Sequence, residues 1–450
     1  MNPTITSVLL AFFFGWFFWQ LYGRFGALAK MASEGRWDRP WRRLGLVFSI
    51  GLGQSKLVGP RKERRAGVMH AFIFWGALLV GLREMILMGE GFVEGFQELL
   101  PGLGADSPLA YGYVALVNGA ELAVAYMVGV ALYRRLVKRY ARLDLNWQGI
   151  YVLLFIMGIV TTDLAYDAVR YALAAQGGAV HLLQSPVWGS EVDWAPVSRL
   201  LAGLVSGLGA DWLDGLRQGL FWGHLVIMLS FLNVLPNTKQ FHELTALPNV
   251  FFGALNRPHA PIPRLDLEDE QAWEAGAVGV NRLEQLTWKQ GLDFLSCTEC
   301  GRCYDSCPTY LTGKPLTQKW FNQSLLAYFK EEQANLLKTG KAGEAKTLVG
   351  DVISPDTLWA CTTCRACEEA CPVSIEHVPR VIGMRQGQTL MGEAYPPEMA
   401  NAFKGLERNG NPWGIGYDQR ADWARDEPVT ILDGPVTEEV EVVMWVGCMG

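Results

Sequence analysis

Nine cysteines dominate the chemistry open to this 450-residue sequence, and none of them precedes residue 297. Eight lie in two runs that repeat the pattern C-x2-C-x2-C-x3-C-P, "CTECGRCYDSCP" from Cys297 and "CTTCRACEEACP" from Cys361. Thiolates at such short spacing are typical metal ligands, whereas a secreted disulfide scaffold would scatter its cysteines through a small domain. The runs therefore predict metal binding in a reducing compartment.

The pattern resembles the signature of bacterial two-cluster ferredoxins, in which the fourth cysteine of each run binds the other cluster. This resemblance implies two [4Fe–4S] clusters. Their ligands would be Cys297, Cys300, Cys303 and Cys371 for the first, and Cys361, Cys364, Cys367 and Cys307 for the second. A pair of zinc sites is the alternative, but zinc needs neither the third closely spaced cysteine nor the proline that follows the fourth.

The 53 residues between the runs contain "TQKWFNQSLLAYFKEEQANLLKTG", which predicts an amphipathic helix ended by Gly340. A long helical connection resembles the α-helical ferredoxin domains of succinate dehydrogenase iron–sulfur subunits and heterodisulfide reductases.

Half of the residues are apolar and only 19% are charged, which favours a membrane protein in contact with lipid. Apolar segments long enough to span a bilayer lie at 4–24, 67–89, 108–133, 148–172 and 218–237. Two shorter stretches are doubtful. "SRLLAGLVSGLGA" from Ser198 is expected to form an interfacial helix outside, and "LGLVFSIGLG" from Leu44 could lie on the inner face.

Basic residues cluster in the loop between the first two spans and in the loop between the third and fourth. The positive-inside rule makes these loops cytoplasmic, so the amino terminus is outside and the cysteine runs are cytoplasmic. Because membrane topology explains the basic residues, no nucleic-acid partner is expected. The prediction is a multi-pass protein of the cell (inner) membrane.

Three histidines lie at the ends of spans: His70 opens the second, His224 opens the fifth and His242 follows its end. The 18 residues from His224 to His242 correspond to about 27 Å of helix, so these two lie near opposite faces of the membrane. His70 and His242 share the cytoplasmic depth and could be the axial ligands of a haem b. The alternative is that each is an ordinary interfacial polar group.

The segment "FWGHLVIMLSFLNVLPNTKQFHELTALP" resembles the last haem-bearing helix of the gamma subunit of respiratory nitrate reductase. That family has a second pair of histidines, but Val80 stands here where the partner of His224 would be. The resemblance thus implies one haem and leaves a second open. His181 could reach His224 if its loop folds back.

Ionisable residues inside spans are costly and often functional. Arg83, Glu84, Asp163 and Tyr166 are predicted at the outer depth, where Asp163 and His224 could exchange protons with a quinone. The alternative is a set of structural ion pairs, for example of Asp163 with Arg83 or Arg170.

The whole chain resembles membrane-bound iron–sulfur oxidoreductases in which a nitrate-reductase-gamma-like domain is fused to a heterodisulfide-reductase-like domain. The resemblance implies an iron–sulfur quinone oxidoreductase that exchanges electrons between electron-transfer flavoprotein and the menaquinone pool. A quinone-linked disulfide reductase is the alternative, and a non-enzymatic assembly or anchoring subunit is a third.

The predicted fold class is all-α: a five-span transmembrane bundle followed by an α-helical ferredoxin domain with two [4Fe–4S] clusters. The ending "VEVVMWVGCMG" resembles the first strand of a cysteine-rich domain that is cut short near Cys448; a free thiol on a tail is the alternative. The predicted segments are 1–245 transmembrane, 246–285 linker, 286–395 ferredoxin, 396–440 connection and 441–450 start of the truncated domain.

Overall fold

The long apolar segments fold into helices in the computed structural model of the protein. It describes residues 2–140, 143, 147–255, 262, 265–392, 394–432, 434–435, 439–445 and 447. The helices of the amino-terminal part are α1 (Pro3–Leu28), α2 (Pro40–Leu46), α3 (Ser55–Val58), α4 (Arg64–Glu90), α5 (Pro108–Leu136), α6 (Trp147–Ala175), α7 (Glu191–Trp194), α8 (Pro196–Val205), α9 (Ala210–Val234) and α10 (His242–Phe251).

Among the described residues, five helices are long and apolar enough to cross a membrane: α1, α4, α5, α6 and α9. This confirms the predicted spans, except that the last begins at Ala210 rather than 218. The earlier start follows from "ADWLDGLRQG", whose polar residues continue the helix and whose Asp211 suits the positive end of its dipole. The doubtful stretch after Ser198 forms the ten-residue helix α8, and Val47–Leu52 forms a π-helical turn after α2.

Local sequence explains where the spanning helices begin. Asn2 caps α1 by accepting hydrogen bonds from the Thr4 and Ile5 amides, and Pro3 occupies the first turn, where its missing N–H costs nothing. Ser107 and Pro108 do the same for α5. Helix α1 leaves large apolar side chains such as Phe12 and Trp19 exposed, which is the surface expected against lipid.

The spanning helices pack in the sequence α4, α5, α6, α9, with α1 against α9. Short connecting elements are the antiparallel strands β1 (Gln184–Ser185) and β2 (Gly189–Ser190) and the 3₁₀ turns Phe96–Leu99, Leu235–Asn237 and Lys239–Phe241.

The carboxyl-terminal part is also helical. Its helices are α11 (Glu270–Glu274), α12 (Trp288–Leu295), α13 (Arg302–Asp305), α14 (Pro308–Leu311), α15 (Gln318–Thr339), α16 (Pro355–Trp359), α17 (Ala366–Ala370), α18 (His377–Met391) and α19 (Glu398–Asn409), with 3₁₀ turns at Leu283–Gln285, Tyr417–Gln419 and Asp422–Ala424. Helix α15 is the predicted amphipathic helix, and Gly340 ends it in the left-handed conformation that glycine adopts most readily.

The chain divides into two compact units. The first comprises Met1–Arg264 and Arg282–Ile382, and the second Leu265–Asn281 and Gly383–Gly450. Within the second, the Val280 amide donates to the Gly383 carbonyl at 2.8 Å. Residues 439–445, whose β-branched pattern predicts a strand, form no strand, since they pair with no other described segment. Cys448 lies outside the described residues.

Within the first unit, a buried ion pair ties the loop after α1 to the segment after the second cysteine run. The Arg36 guanidinium donates to both carboxylate oxygens of Glu376, at 3.2 and 2.8 Å. The Glu376 carboxylate also accepts from the Ala254 amide at 2.6 Å and lies 4.0 Å from the Lys289 ammonium. Burial alone would raise the pKa of Glu376, but Lys289 and Arg36 lower it to about 2.

Glu376→Gln should therefore lower the melting temperature of the detergent-solubilised protein at pH 7. Removing one charge of a buried ion pair costs about 3–5 kcal/mol of the free energy of unfolding. Because the folded pKa is depressed from 4.5, the contribution of Glu376 is present above pH 4.5 and is lost as the pH falls towards 2.

Glu331→Gln is the matched control, because it removes the half-exposed pair with Lys346, which is worth about 0–1 kcal/mol. Equal shifts of the melting temperature in the two variants would contradict the role given to Glu376.

Candidate metal centres and membrane polar cluster

The first cysteine run and the last cysteine of the second run line one cavity. The cysteines in its lining are Cys297, Cys300, Cys303 and Cys371, the four that the ferredoxin resemblance groups together. Cys297 packs against the buried cluster formed by Cys371, Val373 and Ile375. Burial, together with the nearby Cys300 and Cys371 sulfurs, raises the pKa of the Cys297 thiol to about 12. A thiolate here therefore needs a bound cation to stabilise it.

The other four cysteines of the two runs are also neighbours. Burial raises the pKa of Cys367, and the sulfurs of Cys361, Cys307 and Cys364 are close enough to raise it further. Cys307 thus joins the second run across the chain, as Cys371 joins the first. Gln318 lines the first cavity and points its amide at Cys361, with 4.0 Å between nitrogen and sulfur.

The two runs share a backbone conformation that the sequence pattern predicts only in outline. Positive φ angles occur at Glu299 and Gly301 in the first run and at the equivalent Thr363 and Arg365 in the second. Three of these are not glycine, so the turns store strain. The conformation curls each C-x2-C-x2-C segment so that the Thr363 amide donates to the Cys361 sulfur at 3.4 Å.

No group of three His, Cys, Asp or Glu side chains in the described part of the chain converges closely enough to hold a single metal ion. A cubane does not require that convergence, because each of its four cysteines binds a different iron. The residues around the first cavity fit such a group: four thiols from two crossing runs, with the buried ammonium of Lys319 in the lining.

His70 and His242 face each other where α4 begins and α10 begins. Their ring centroids are 6.4 Å apart, with 40° between the ring planes. An iron held at about 2.0 Å from one nitrogen of each ring would separate the centroids by roughly 6 Å. The pair therefore fits axial ligation of a haem iron.

The Nδ1 atom of each of these two histidines already has a hydrogen-bond partner. His242 Nδ1 donates to the Lys239 carbonyl at 2.7 Å, and His70 Nδ1 lies 3.1 Å from the Gln54 side-chain oxygen. Both contacts leave Nε2 as the unprotonated nitrogen, which is the arrangement typical of metal-binding histidines. Burial lowers the pKa of His242 and so favours the neutral imidazole.

Asp163 and His224 lie together in a buried polar cluster between the spanning helices. The His224 ring is held at both nitrogens: Nε2 lies 2.7 Å from a Glu84 oxygen and Nδ1 lies 2.8 Å from the Thr162 hydroxyl. Asp163 is fully buried, and its Oδ1 is 3.5 Å from Arg83 Nε. The His181 ring lies 3.5 Å from a Glu98 oxygen. It therefore pairs with Glu98 and not with His224.

Several members of this cluster were missed by the sequence analysis. Glu121 on α5 is buried beside Asp163, and Asp167 bridges Arg83 and Arg170 at 2.8 and 2.7 Å. Glu121 could have been found, because a lone carboxyl in the middle of an apolar span is itself a signal. The sequence gave no signal for Thr162, since a hydroxyl inside a helix commonly donates to a carbonyl of the preceding turn.

Comparisons with known proteins support the iron–sulfur reading of the cysteine runs. Residues 293–375 match the family model described as the 4Fe-4S dicluster domain. The chain is 29% identical to the protein named Probable iron-sulfur-binding oxidoreductase FadF of Bacillus subtilis, over 94% of this chain and 62% of the relative.

Two further relatives are similar to this chain. The EtfAB:quinone oxidoreductase of Syntrophomonas wolfei is 29% identical over 91% of this chain and 58% of its own length. The Probable membrane-anchored ferredoxin of Chromohalobacter salexigens is 34% identical over 41% of this chain and 28% of its own length. No solved structure matches. The chain thus spans about three fifths of the length of the first two relatives.

Proposed function

We propose that this chain is a membrane iron–sulfur oxidoreductase that transfers electrons between electron-transfer flavoprotein and the menaquinone pool. The observation that carries the proposal is the order of sites along one set of helices. Ala246 of α10, the helix that begins at His242, packs against the buried cluster that contains Cys371, and the Asp163–His224 cluster lies further along α4, α6 and α9.

The proposed ligand sets follow the geometry of the cysteines and histidines. One [4Fe–4S] cluster takes Cys297, Cys300, Cys303 and Cys371, the second takes Cys361, Cys364, Cys367 and Cys307, and a haem b takes His70 and His242. When bound, these groups supply one-electron carriers for exchange with a two-electron quinone.

We place the cysteine runs in the cytoplasm. The basic loop that the positive-inside rule assigns there contacts them directly: Arg302 donates to the Lys56 carbonyl at 2.8 Å, and Lys56 donates to the Glu369 carbonyl at 2.8 Å. A soluble flavoprotein donor would then meet the cysteine end of the chain. The relative named EtfAB:quinone oxidoreductase supports this choice of donor and acceptor.

The residues of the Asp163–His224 cluster can supply and accept protons. Quinone reduction to quinol takes up two electrons and two protons, so a buried site must supply protons where the quinone binds. His224 and Asp163 are the proposed groups, and Glu84 holds the His224 ring in place. The ion pair of Asp163 with Arg83 supports the purely structural alternative, which the Asp163→Asn variant tests.

A quinone-linked disulfide reductase is the second candidate. One measurement tests the main proposal against it: the purified protein is mixed with reduced electron-transfer flavoprotein and a menaquinone analogue. We expect quinol formation that requires the flavoprotein. Reduction of a disulfide at the expense of quinol, without any response to the flavoprotein, would favour the second candidate.

The crossed cysteine pairing predicts which variants share a defect. Cys371→Ser should perturb the same [4Fe–4S] electron paramagnetic resonance signal as Cys300→Ser, and Cys307→Ser the same signal as Cys364→Ser. If Cys371→Ser instead shared its signal with Cys364→Ser, each run would hold its own cluster and the pairing would be wrong. Stoichiometric zinc without acid-labile sulfide would overturn the clusters altogether.

The paired histidines predict a single haem with two ligands. His70→Ala and His242→Ala should each abolish the same b-type absorbance, while His224→Ala should retain it, because Glu84 and Thr162 engage both nitrogens of the His224 ring. Loss of a distinct second absorbance in His224→Ala would show that His224 is also a haem ligand.

Asp163→Asn should slow oxidation of the dithionite-reduced protein by a menaquinone analogue by about 10²-fold, since it removes a proton-exchanging group. Reduction by dithionite and the b-type absorbance should be unchanged. Asp193→Asn, which removes an exposed pair with Arg199, is the control. Normal reoxidation with a lower melting temperature would identify Asp163 as a structural partner of Arg83.

A further inference from the structure

Gln54 is a buried polar residue that the sequence analysis passed over. It is 2% exposed and has a φ of 50°, unusual for a residue other than glycine. It immediately precedes α3, and its carbonyl accepts from the Leu57 and Val58 amides, which starts that helix. A non-glycine residue in this conformation, fully enclosed by protein, indicates a position fixed by its surroundings.

The surroundings of Gln54 include the first turn of α4. Gly67, one turn before His70, lets the two backbones touch, because a Cβ at this position would collide with the Leu57 carbonyl. This close approach brings the Gln54 side-chain oxygen to 3.1 Å from His70 Nδ1. The partner of His242 is a backbone carbonyl, so of the two histidines only His70 has a partner that substitution can change.

The same short segment reaches both cysteine runs. The Lys56 carbonyl accepts from Arg302, which stands between Cys300 and Cys303. The Lys56 ammonium donates to the Glu369 carbonyl, which stands between Cys367 and Cys371. Residues 54–56 therefore connect His70 with the Arg302 side chain of the first cysteine run and with the backbone of the second.

We propose that Gln54 is the positioning residue that orients His70 and sets the electron affinity of the haem that His70 and His242 would hold. This inference rests on the haem ligation in the proposed function. By accepting the Nδ1 proton, Gln54 fixes the tautomer that leaves Nε2 for the iron and makes the imidazole a better electron donor. A stronger acceptor stabilises the oxidised iron, and loss of the acceptor destabilises it.

The test is a redox titration of the b-type absorbance in purified Gln54→Glu and Gln54→Leu proteins. Gln54→Glu should lower the midpoint potential and Gln54→Leu should raise it. Each should change the ratio of oxidised to reduced haem at a fixed potential by roughly tenfold, which corresponds to about 59 mV for one electron. Gln218→Glu and Gln218→Leu are matched controls at an exposed glutamine that bonds to Asp214, and they should leave the potential unchanged.

Opposite shifts cannot come from a general loosening of the fold, which would move both variants the same way. If Gln54→Leu fails to fold, Gln54→Glu decides alone, because it keeps the size and the acceptor oxygen: an unchanged or raised potential overturns the role of Gln54. A wild-type protein without b-type absorbance would overturn the haem ligation itself, whereas unchanged potentials in haem-containing variants would overturn only the inference on Gln54.

Discussion

The Glu376 carboxylate is the contact on which the arrangement of sites depends. It joins Arg36 from the loop after α1, the Ala254 amide after α10, and the segment that follows the second cysteine run. These three segments are more than a hundred residues apart in sequence, so each link closes a long loop whose entropic cost must be offset by the interaction. A buried, multiply bonded carboxylate can do so, because it accepts hydrogen bonds from Arg36 and the Ala254 amide and its charge is balanced by Arg36 and Lys289.

Five residues before Glu376, Cys371 belongs to a buried cluster that packs against Ala246 of α10, the helix that begins at His242. Two buried cations lie close to the cysteine cavity. Lys319 lines it, and the fully buried Arg380 lies near both Cys297 and Cys367. Clusters held by four thiolates are anionic, and nearby cations, burial and hydrogen bonds to sulfur are the means by which a protein sets their potentials.

The sequence allowed some of this to be predicted and not the rest, for physical reasons. The spans, the Gly340 cap and the cysteine spacing are local patterns. They could be predicted because each depends on residues that are close together in the sequence. The crossed pairing of Cys371 with the first run was implied by resemblance alone, because spacing cannot tell which sulfurs meet. The contact of Glu84 with His224 could not be predicted, since the rotations of α4 and α9 are set by packing between helices.

Gln54 and Glu121 are residues whose contacts could not be predicted from the sequence. Neither belongs to a motif, and each acquires a role only when another segment is packed against it. Asp163 was predicted at the depth of His224 from helical rise, and the two do share one cluster. The network around them, including Thr162 and Asp167, needed the tertiary structure.

The polar contacts of α1 bear on how the protein is made. Gln20 donates to Asn233, 213 positions later, and Arg24 donates to Gln333, 309 positions later. At a synthesis rate of about 5–20 residues per second, Arg24 waits roughly 10–40 s for its first partner, Asn237, and roughly 15–60 s for Gln333. During that time the first helix sits in the bilayer with its inner polar groups uncommitted. We therefore expect interfacial water or the insertion machinery to shelter those groups until the segments that carry Asn233, Asn237 and Gln333 emerge.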